Sequence, residues 1–380
     1  MEATDNNPGK IYAPEHADGL LDTSVGGERR RGRGAVANTS GRYEPTAKVP
    51  FDDGWQSLEE LPPFKTETTI EKPRKILTRN DSPDIGFDRS INPYRGCEHG
   101  CIYCFARPTH AYQGLSPGLD FESKLFVKPD AADLLVRELA APNYSPKVIA
   151  MGTNTDPYQP IERKWRVTRK ILEVLRDAGH PVAIVTKSGL VARDIDILSD
   201  MAKGNLAKVA LSVTTLDPKL ARVMEPRAAT PSLRLATIRK LSAAGIPTAV
   251  MVAPIVPAIN DSEVERILDA AAAAGAESAG YVMLRMPLEI KDLFRQWLKE
   301  NFPDKLDHVI SLVRSLHGGK DYDSSWGHRQ TGAGPYAWSI GRRFELACKR
   351  IGLNKKRVPL TTAHFQAPRM KKDQLDLFAA

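Results

Sequence analysis

The stretch INPYRGCEHGCIYCFARPTH, Ile91 to His110, holds three of the four cysteines in a chain of 380 residues. Their spacing is Cys97-x3-Cys101-x2-Cys104, and no fourth cysteine lies nearby. Gly96 and Gly100 flank the first of them, where only glycine turns freely into left-handed backbone. Just upstream, Phe87 to Ile91 reads as a short strand, so the cysteines occupy the loop that follows it. Cysteines this close, in a chain otherwise so poor in them, suggest a metal centre or catalysis before disulfides. Zinc is one candidate: a structural site wants four nitrogen or sulfur ligands, and His99, His110 or Cys348 could complete one. Such sites usually pair two C-x2-C knuckles, however, and one pair here has that spacing. An iron–sulfur cube normally takes four thiolates. With three, one iron keeps an open position, which suits ligand binding better than electron transfer.

Outward from this loop the chain alternates regularly. KVIAMG (147–152), PVAIVT (181–186), KVALSV (208–213), TAVMVA (248–253) and AGYVML (279–284) are short apolar runs, read as strands covered on both faces. Helical patterns separate them. Ile171, Leu172, Leu175 and Ala178 share a face that stops at Gly179. Ser262 and Glu265 have capping-box spacing ahead of Val264, Ile267, Leu268 and Ala271, which stop at Gly275. The spacing is that of βα units with a parallel sheet. Counting the strand before the cysteines gives six units, too few for a closed eight-stranded barrel. The expected fold is therefore α/β, a partial (β/α)6 barrel of parallel strands with its chemistry at the strand ends.

The cysteine spacing, with Tyr103 just before the last cysteine, resembles the radical S-adenosylmethionine (radical SAM) enzymes. Within them, EPRAATPSLRLATIRKLSAAGIPTAVMVAPIVPAIND resembles the spore photoproduct lyase branch, which repairs a thymine dimer in DNA. The resemblance implies a [4Fe–4S] cluster on Cys97, Cys101 and Cys104, whose fourth iron binds the amino and carboxylate groups of S-adenosylmethionine. One electron then cleaves the sulfonium to methionine and a 5′-deoxyadenosyl radical, which takes hydrogen from substrate. It also implies that Tyr103 rests near the adenine. Thr153, Asn154 and Thr155, in the loop after the second strand, would meet the methionine amino group, with Asp156 and Tyr158 facing the cavity. Lys187 would meet the carboxylate and Ser212 the ribose. VAPIVPAIND replaces the usual Gly-rich adenine segment. The lyases carry a hydrogen-donating cysteine just after the second strand, whereas GTNTD stands here, with Thr153 at the best-matching position. A relative with altered chemistry is expected. Cys348, in the helical pattern FELACKRIGL, reads as a buried structural thiol.

The domain plan is a disordered tail over 1–50, an irregular wrapping segment over 51–85 and the barrel over 86–290. A helical and Gly/aromatic extension follows over 291–365, then a flexible tail over 366–380. The formal charge is +8. Gly341 to Lys372 alone holds ten Lys or Arg against one acid, Glu345, and a second basic knot, RRRGRG, spans Arg29 to Gly34. Each is either a solvated tail or a polyanion contact. Trp326, His328 and Tyr336 could stack on substrate or form a lid. Gln374-Leu375-Asp376-Leu377-Phe378 resembles the peptide by which bacterial repair and replication proteins dock onto the sliding clamp. No apolar run approaches the length of a membrane span, and MEATDNNPGKIY lacks a secretory signal pattern; the expected location is the cytoplasm. The leading expectation is a radical SAM enzyme acting on damaged or modified DNA and fed by a reducing electron donor. The alternatives are an RNA-modifying or small-molecule radical SAM enzyme, and a zinc-stabilised nucleic-acid binding module.

Overall fold

The apolar runs form a single twisted sheet in the computed structural model, which describes residues 24–44, 62–355 and 359–369. Its six parallel strands are β1 Arg89–Ile91, β2 Ile149–Met151, β3 Val182–Thr186, β4 Ala207–Ser212, β5 Thr248–Ile255 and β6 Ser278–Met283. Each pairs with the next in chain order, and Leu77–Arg79 adds an antiparallel strand beside β1. Helices Ala131–Leu139, Val167–Asp177, Ile195–Lys203, Pro231–Ala243 and Val264–Ala273 connect successive strands. This is the expected open α/β barrel.

The strands are not equally covered on both faces. Val182, Ile184, Val209, Leu211, Val250 and Val252 are buried against helix residues such as Ile171, Leu172 and Leu175, each worth about 1.5–3 kcal/mol relative to exposure. The alternate residues Ala183, Ala210, Ala249 and Ala253 are only partly buried. With Val185 and Met251 they form the opposite face of the sheet, toward the barrel interior, where the four alanines leave room.

Three local expectations change. Helix Val264–Ala273 starts without a capping box: its first turn is entered through a 3-10 turn, Asp261–Glu263, with no side-chain cap. Glu265 instead pairs with Arg343 at 2.7 Å, because the C-terminal helix Gly334–Ile351 packs alongside and supplies a guanidinium. Arg350 pairs with Asp269 at 2.9 Å in the same way, so part of the basic C-terminal segment is engaged within the fold. The wrapping segment is not wholly irregular either: Glu67–Ile70 pairs with Lys124–Val127, which also pairs with Tyr94–Arg95.

The third change is the largest. Residues 24–44 are not a disordered tail but lie across the barrel. Within RRRGRG, Arg29 stacks on Phe64 at 4.7 Å, Arg30 pairs with Glu300 and Arg33 is buried. Arg42 pairs with Glu289 at 2.6 Å. Carboxylates, carbonyls and an aromatic ring from distant parts of the chain take up these cations, which sequence composition cannot reveal. Gln374 to Phe378, the clamp-like peptide, lie outside the described residues. Cys348 is buried in the main core. Among the described residues, no helix is long and apolar enough to cross a membrane.

One buried group makes stability pH-dependent. His180 is fully buried, accepts from the Tyr144 hydroxyl at 2.7 Å through Nε2, and its Nδ1 faces the Pro181 carbonyl at 3.1 Å. Burial, with the Arg89 cation adding to it, lowers its pKa to about 4 against the pull of that carbonyl. The ring is neutral in the fold but protonates near pH 6.5 once unfolded, so its stabilisation is complete above about pH 6.5 and lost as pH falls toward about 4. The expected loss from this residue is about 2 kcal/mol between about pH 7 and about pH 5. Urea midpoints at the two pH values measure it. His180→Gln should lessen the dependence by that amount, leaving the share of His110, which burial also lowers to about 4; an unchanged slope in that variant would refute the assignment.

Candidate active site

All six parallel strands end at one edge of the sheet, and the loops there collect the residues of interest. The loop after β1 is shaped by Gly96 and Gly100, both at φ 70°. A Cβ at Gly96 would lie 2.8 Å from the Phe121 carbonyl oxygen, and one at Gly100 would lie 2.7 Å from Glu122 Oε2. Backbone bonds fix its course: the Cys97 N–H donates to Phe121 O at 2.9 Å and the Ile102 N–H to Met224 O at 3.0 Å.

Beneath the loop lies an ion pair invisible to the sequence reading. Arg107 and Glu122 are fully buried and meet at 2.5 Å. Arg107 Nε donates to the Cys101 carbonyl at 2.9 Å, and its Nη1 donates to Pro117 O and Gly118 O. The Glu122 carboxylate also receives the N–H groups of Gly34 at 2.9 Å and Ala35 at 2.8 Å. Gly34 approaches so closely that a Cβ there would lie 1.8 Å from the Gly100 carbonyl oxygen. The N-terminal segment thus straps the cysteine loop. At the loop's other side, Gln159 accepts from the Glu98 N–H at 2.9 Å and donates to Gly96 O at 3.1 Å. The Glu98 carboxylate accepts from Thr66 and Arg227.

The thiols suit an iron–sulfur cluster better than one metal ion. Burial pushes all three pKa values up. Cys97 is raised further by Asp156 and by its two neighbouring thiols; Cys101 reaches about 12 despite the Lys187 cation; Cys104 is eased by Arg107. Thiolates so placed need cationic ligand partners. No three His, Cys, Asp or Glu side chains among the described residues converge on one metal position, whereas in a cube each thiolate takes a different iron. The proposed zinc completions are also engaged elsewhere. His110 Nε2 lies 3.0 Å from Lys124 O, His99 Nδ1 lies 3.3 Å from Asp156, and Cys348 belongs to the main core.

Tyr103 is buried beside the cysteines. Its hydroxyl donates to Glu225, whose other oxygen meets buried Arg234 at 2.5 Å. Cys101 Sγ lies 4.0 Å from the same carboxylate, and Lys187 Nζ lies 5.6 Å above the Tyr103 ring. The structure therefore brings Cys101, Tyr103 and Lys187 together. Glu225 and Arg234 are not among the expected site residues, although both fall in the EPRAATPSLR run.

In the loop after β2, Gly152 takes φ 85° and a Cβ there would lie 1.9 Å from Val185 O. Thr153 and Asn154 are partly exposed; the Asn154 N–H donates to Asn92 at 3.2 Å. The Thr155 hydroxyl is buried and donates to Tyr94 O at 3.0 Å, which leaves it only as an acceptor. Asp156 does not stand free in the cavity. It accepts from the Thr186 hydroxyl at 2.7 Å and the Lys187 N–H at 2.8 Å. Burial raises its pKa, but His99 and these donors outweigh burial and hold it at about 2. Tyr158 is fully buried in the main core rather than facing the cavity, with the Arg193 guanidinium carbon 5.9 Å from its ring. Ser212 is buried at the end of β4, its carbonyl taken by Arg234 at 3.0 Å. Asn260 ties the loops after β4 and β5, donating to Thr214 O at 2.7 Å and Pro254 O at 3.0 Å. Tyr336 donates to Asp261 at 2.6 Å as a structural anchor, while Trp326 and His328 remain exposed.

Comparison with known proteins gives a family and a fold. A family model described as Radical SAM superfamily matches residues 91–271. An uncharacterized protein of Mycobacterium tuberculosis is 38% identical over 232 residues, 60% of this chain and 68% of that one. Spore photoproduct lyase complexed with dinucleoside spore photoproduct superposes with a TM-score of 0.53 at 15% identity, covering 75% of this chain and 79% of that one. A variant of that lyase with bound AdoMet and dinucleoside spore photoproduct gives 0.51 at 15% identity, with the same coverage.

Proposed function

Because the chain belongs to the radical SAM superfamily, we propose that Cys97, Cys101 and Cys104 hold its cluster and that its substrate is nucleic acid, a damaged or modified DNA base treated in a lyase-like reaction. The chain is an enzyme, and its cofactors are a [4Fe–4S] cluster and S-adenosylmethionine. When bound, these supply reductive sulfonium cleavage and a hydrogen-abstracting carbon radical.

In this reading the protein supplies orientation and shelter. Lys187 Nζ meets the cofactor carboxylate. Thr153 and Asn154 offer oxygens to its amino group, with Thr155 as an acceptor, and Ser212 meets the ribose. Tyr103, its hydroxyl locked by Glu225, presents a fixed ring to the adenine. The alanines on the inner face of the strands, Ala183, Ala210, Ala249 and Ala253, leave the space that an extruded base needs. Unstacking that base costs about a few kcal/mol, less when it is damaged. With Thr153 where the lyases carry a cysteine, hydrogen return to the product follows a different route in this chain. Three thiols and an oxygen-sensitive cluster fit a reducing cytoplasm.

The observation that carries the enzyme class is the strapped three-cysteine loop at the strand ends. The nucleic-acid part is supported by the likeness in fold to the lyase. Gel shifts with single- and double-stranded oligonucleotides at low salt test it, followed by deuterium transfer from labelled oligonucleotides into 5′-deoxyadenosine. Binding that weakens steeply with salt is expected. A protein that cleaves S-adenosylmethionine yet shifts no oligonucleotide would remove the DNA substrate and leave the enzyme class.

A further inference from the structure

Two cations follow closely on the strands at the barrel mouth: Lys187 directly after β3 and Arg285 two residues after β6. Lys187 sits with Tyr103 and the cysteines, so the cofactor engages it. Arg285 has no such role. Its guanidinium carbon lies 4.9 Å above the ring of Phe105, the residue after Cys104, and 5.9 Å from that of Tyr322. Its one side-chain hydrogen bond among the described residues is a long one to the Tyr322 hydroxyl, 3.3 Å, and its Nε is buried without a partner. No described carboxylate is paired with it.

The placement is unusual in two respects. β1 and β6 lie far apart in the sheet, yet the loop after the first meets the end of the sixth here, so the contact spans the mouth. Phe105 is 44% exposed between half-buried Cys104 and buried Ala106, leaving a large ring face at the entrance. Tyr322 is held firmly, because its neighbour Asp321 pairs with Arg295 at 2.8 Å and Arg314 at 2.9 Å. A guanidinium laid on an aromatic face keeps its in-plane N–H groups clear of the ring; here Nη2 bonds weakly to Tyr322 and Nη1 bonds to no described residue, which leaves that end to meet a phosphate.

We propose that Arg285, propped by Phe105 and Tyr322, clamps a backbone phosphodiester of the substrate strand at the barrel mouth. This rests on the nucleic-acid reading above. The site takes one phosphodiester next to the target nucleotide, and the exposed Phe105 ring offers the adjoining base a stacking surface.

Fluorescence anisotropy of the cluster-loaded full chain with a labelled single-stranded oligonucleotide tests it. Arg285→Ala should weaken binding about tenfold and reduce the salt slope by about one. Arg285→Lys should restore the slope more than the affinity. Tyr322→Phe, a milder change that keeps the ring, should cost about threefold. Replacing single phosphates by neutral methylphosphonates should reproduce the Arg285→Ala loss at one linkage and add nothing in that variant. If the wild type binds but Arg285→Ala binds equally well, the clamp is wrong and the nucleic-acid reading stands. If Arg285→Ala weakens binding while no methylphosphonate does, Arg285 contacts something other than phosphate and the assignment is overturned. If the wild type binds no oligonucleotide, the reading beneath it fails as well. Urea midpoints and iron content of each variant report on its fold.

Discussion

Cys101→Ala is expected to purify colourless, with iron and acid-labile sulfide at background after anaerobic reconstitution, and to release no 5′-deoxyadenosine under dithionite. Two thiolates cannot hold three corners of a cube, so the loss should be complete rather than graded. The fold should survive, because Arg107 grips the Cys101 backbone carbonyl, which alanine retains. Circular dichroism and a urea midpoint near that of the wild type would establish this. Cys348→Ala is the matched control: that thiol belongs to the main core, and its loss should leave iron content untouched. Continued 5′-deoxyadenosine release by Cys101→Ala would contradict the cluster assignment.

Glu122→Ala is expected to have the next largest effect, though Glu122 touches no cofactor. Its carboxylate neutralises Arg107 and anchors Gly34 and Ala35 at zero exposure. Truncation leaves a buried guanidinium uncompensated, a penalty of about 3–5 kcal/mol, and releases the strap from the cysteine loop. The expected result is a lower urea midpoint together with weak cluster retention, read as faster iron loss to a chelator. Gly34→Ala attacks the same joint from the other side, since its Cβ would lie 1.8 Å from Gly100 O, and should speed iron loss without leaving a buried charge. If both variants hold iron as tightly as the wild type, the strap does not support the loop.

The barrel was legible because its signals are local and periodic. The five quoted runs became β2 to β6, and the helix through Ile171, Leu172 and Leu175 buries those residues. The cysteine loop was legible for a similar reason: ligand spacing within eight residues is set by the chain itself. The capping box at Ser262 and Glu265 failed because a distant partner, Arg343, offers Glu265 a stronger interaction than a backbone N–H. Asp156 and Tyr158 lie in the expected loop, but one is bound by His99, Thr186 and Lys187 and the other is buried in the main core. A sequence places a residue on a loop without saying which way the loop folds.

The sequence by itself determined the six βα units and the trio of cysteines, since hydrophobic period and ligand spacing act over a few residues. Only the tertiary structure decided that residues 24–44 strap the site, that Arg107 and Glu122 underpin it, and that Arg285 reaches Phe105 across the mouth. Each of these joins partners from separate parts of the chain, and a buried charge is stable only where folding delivers its counter-charge or hydrogen-bond partners. Nothing local in the sequence encodes that delivery.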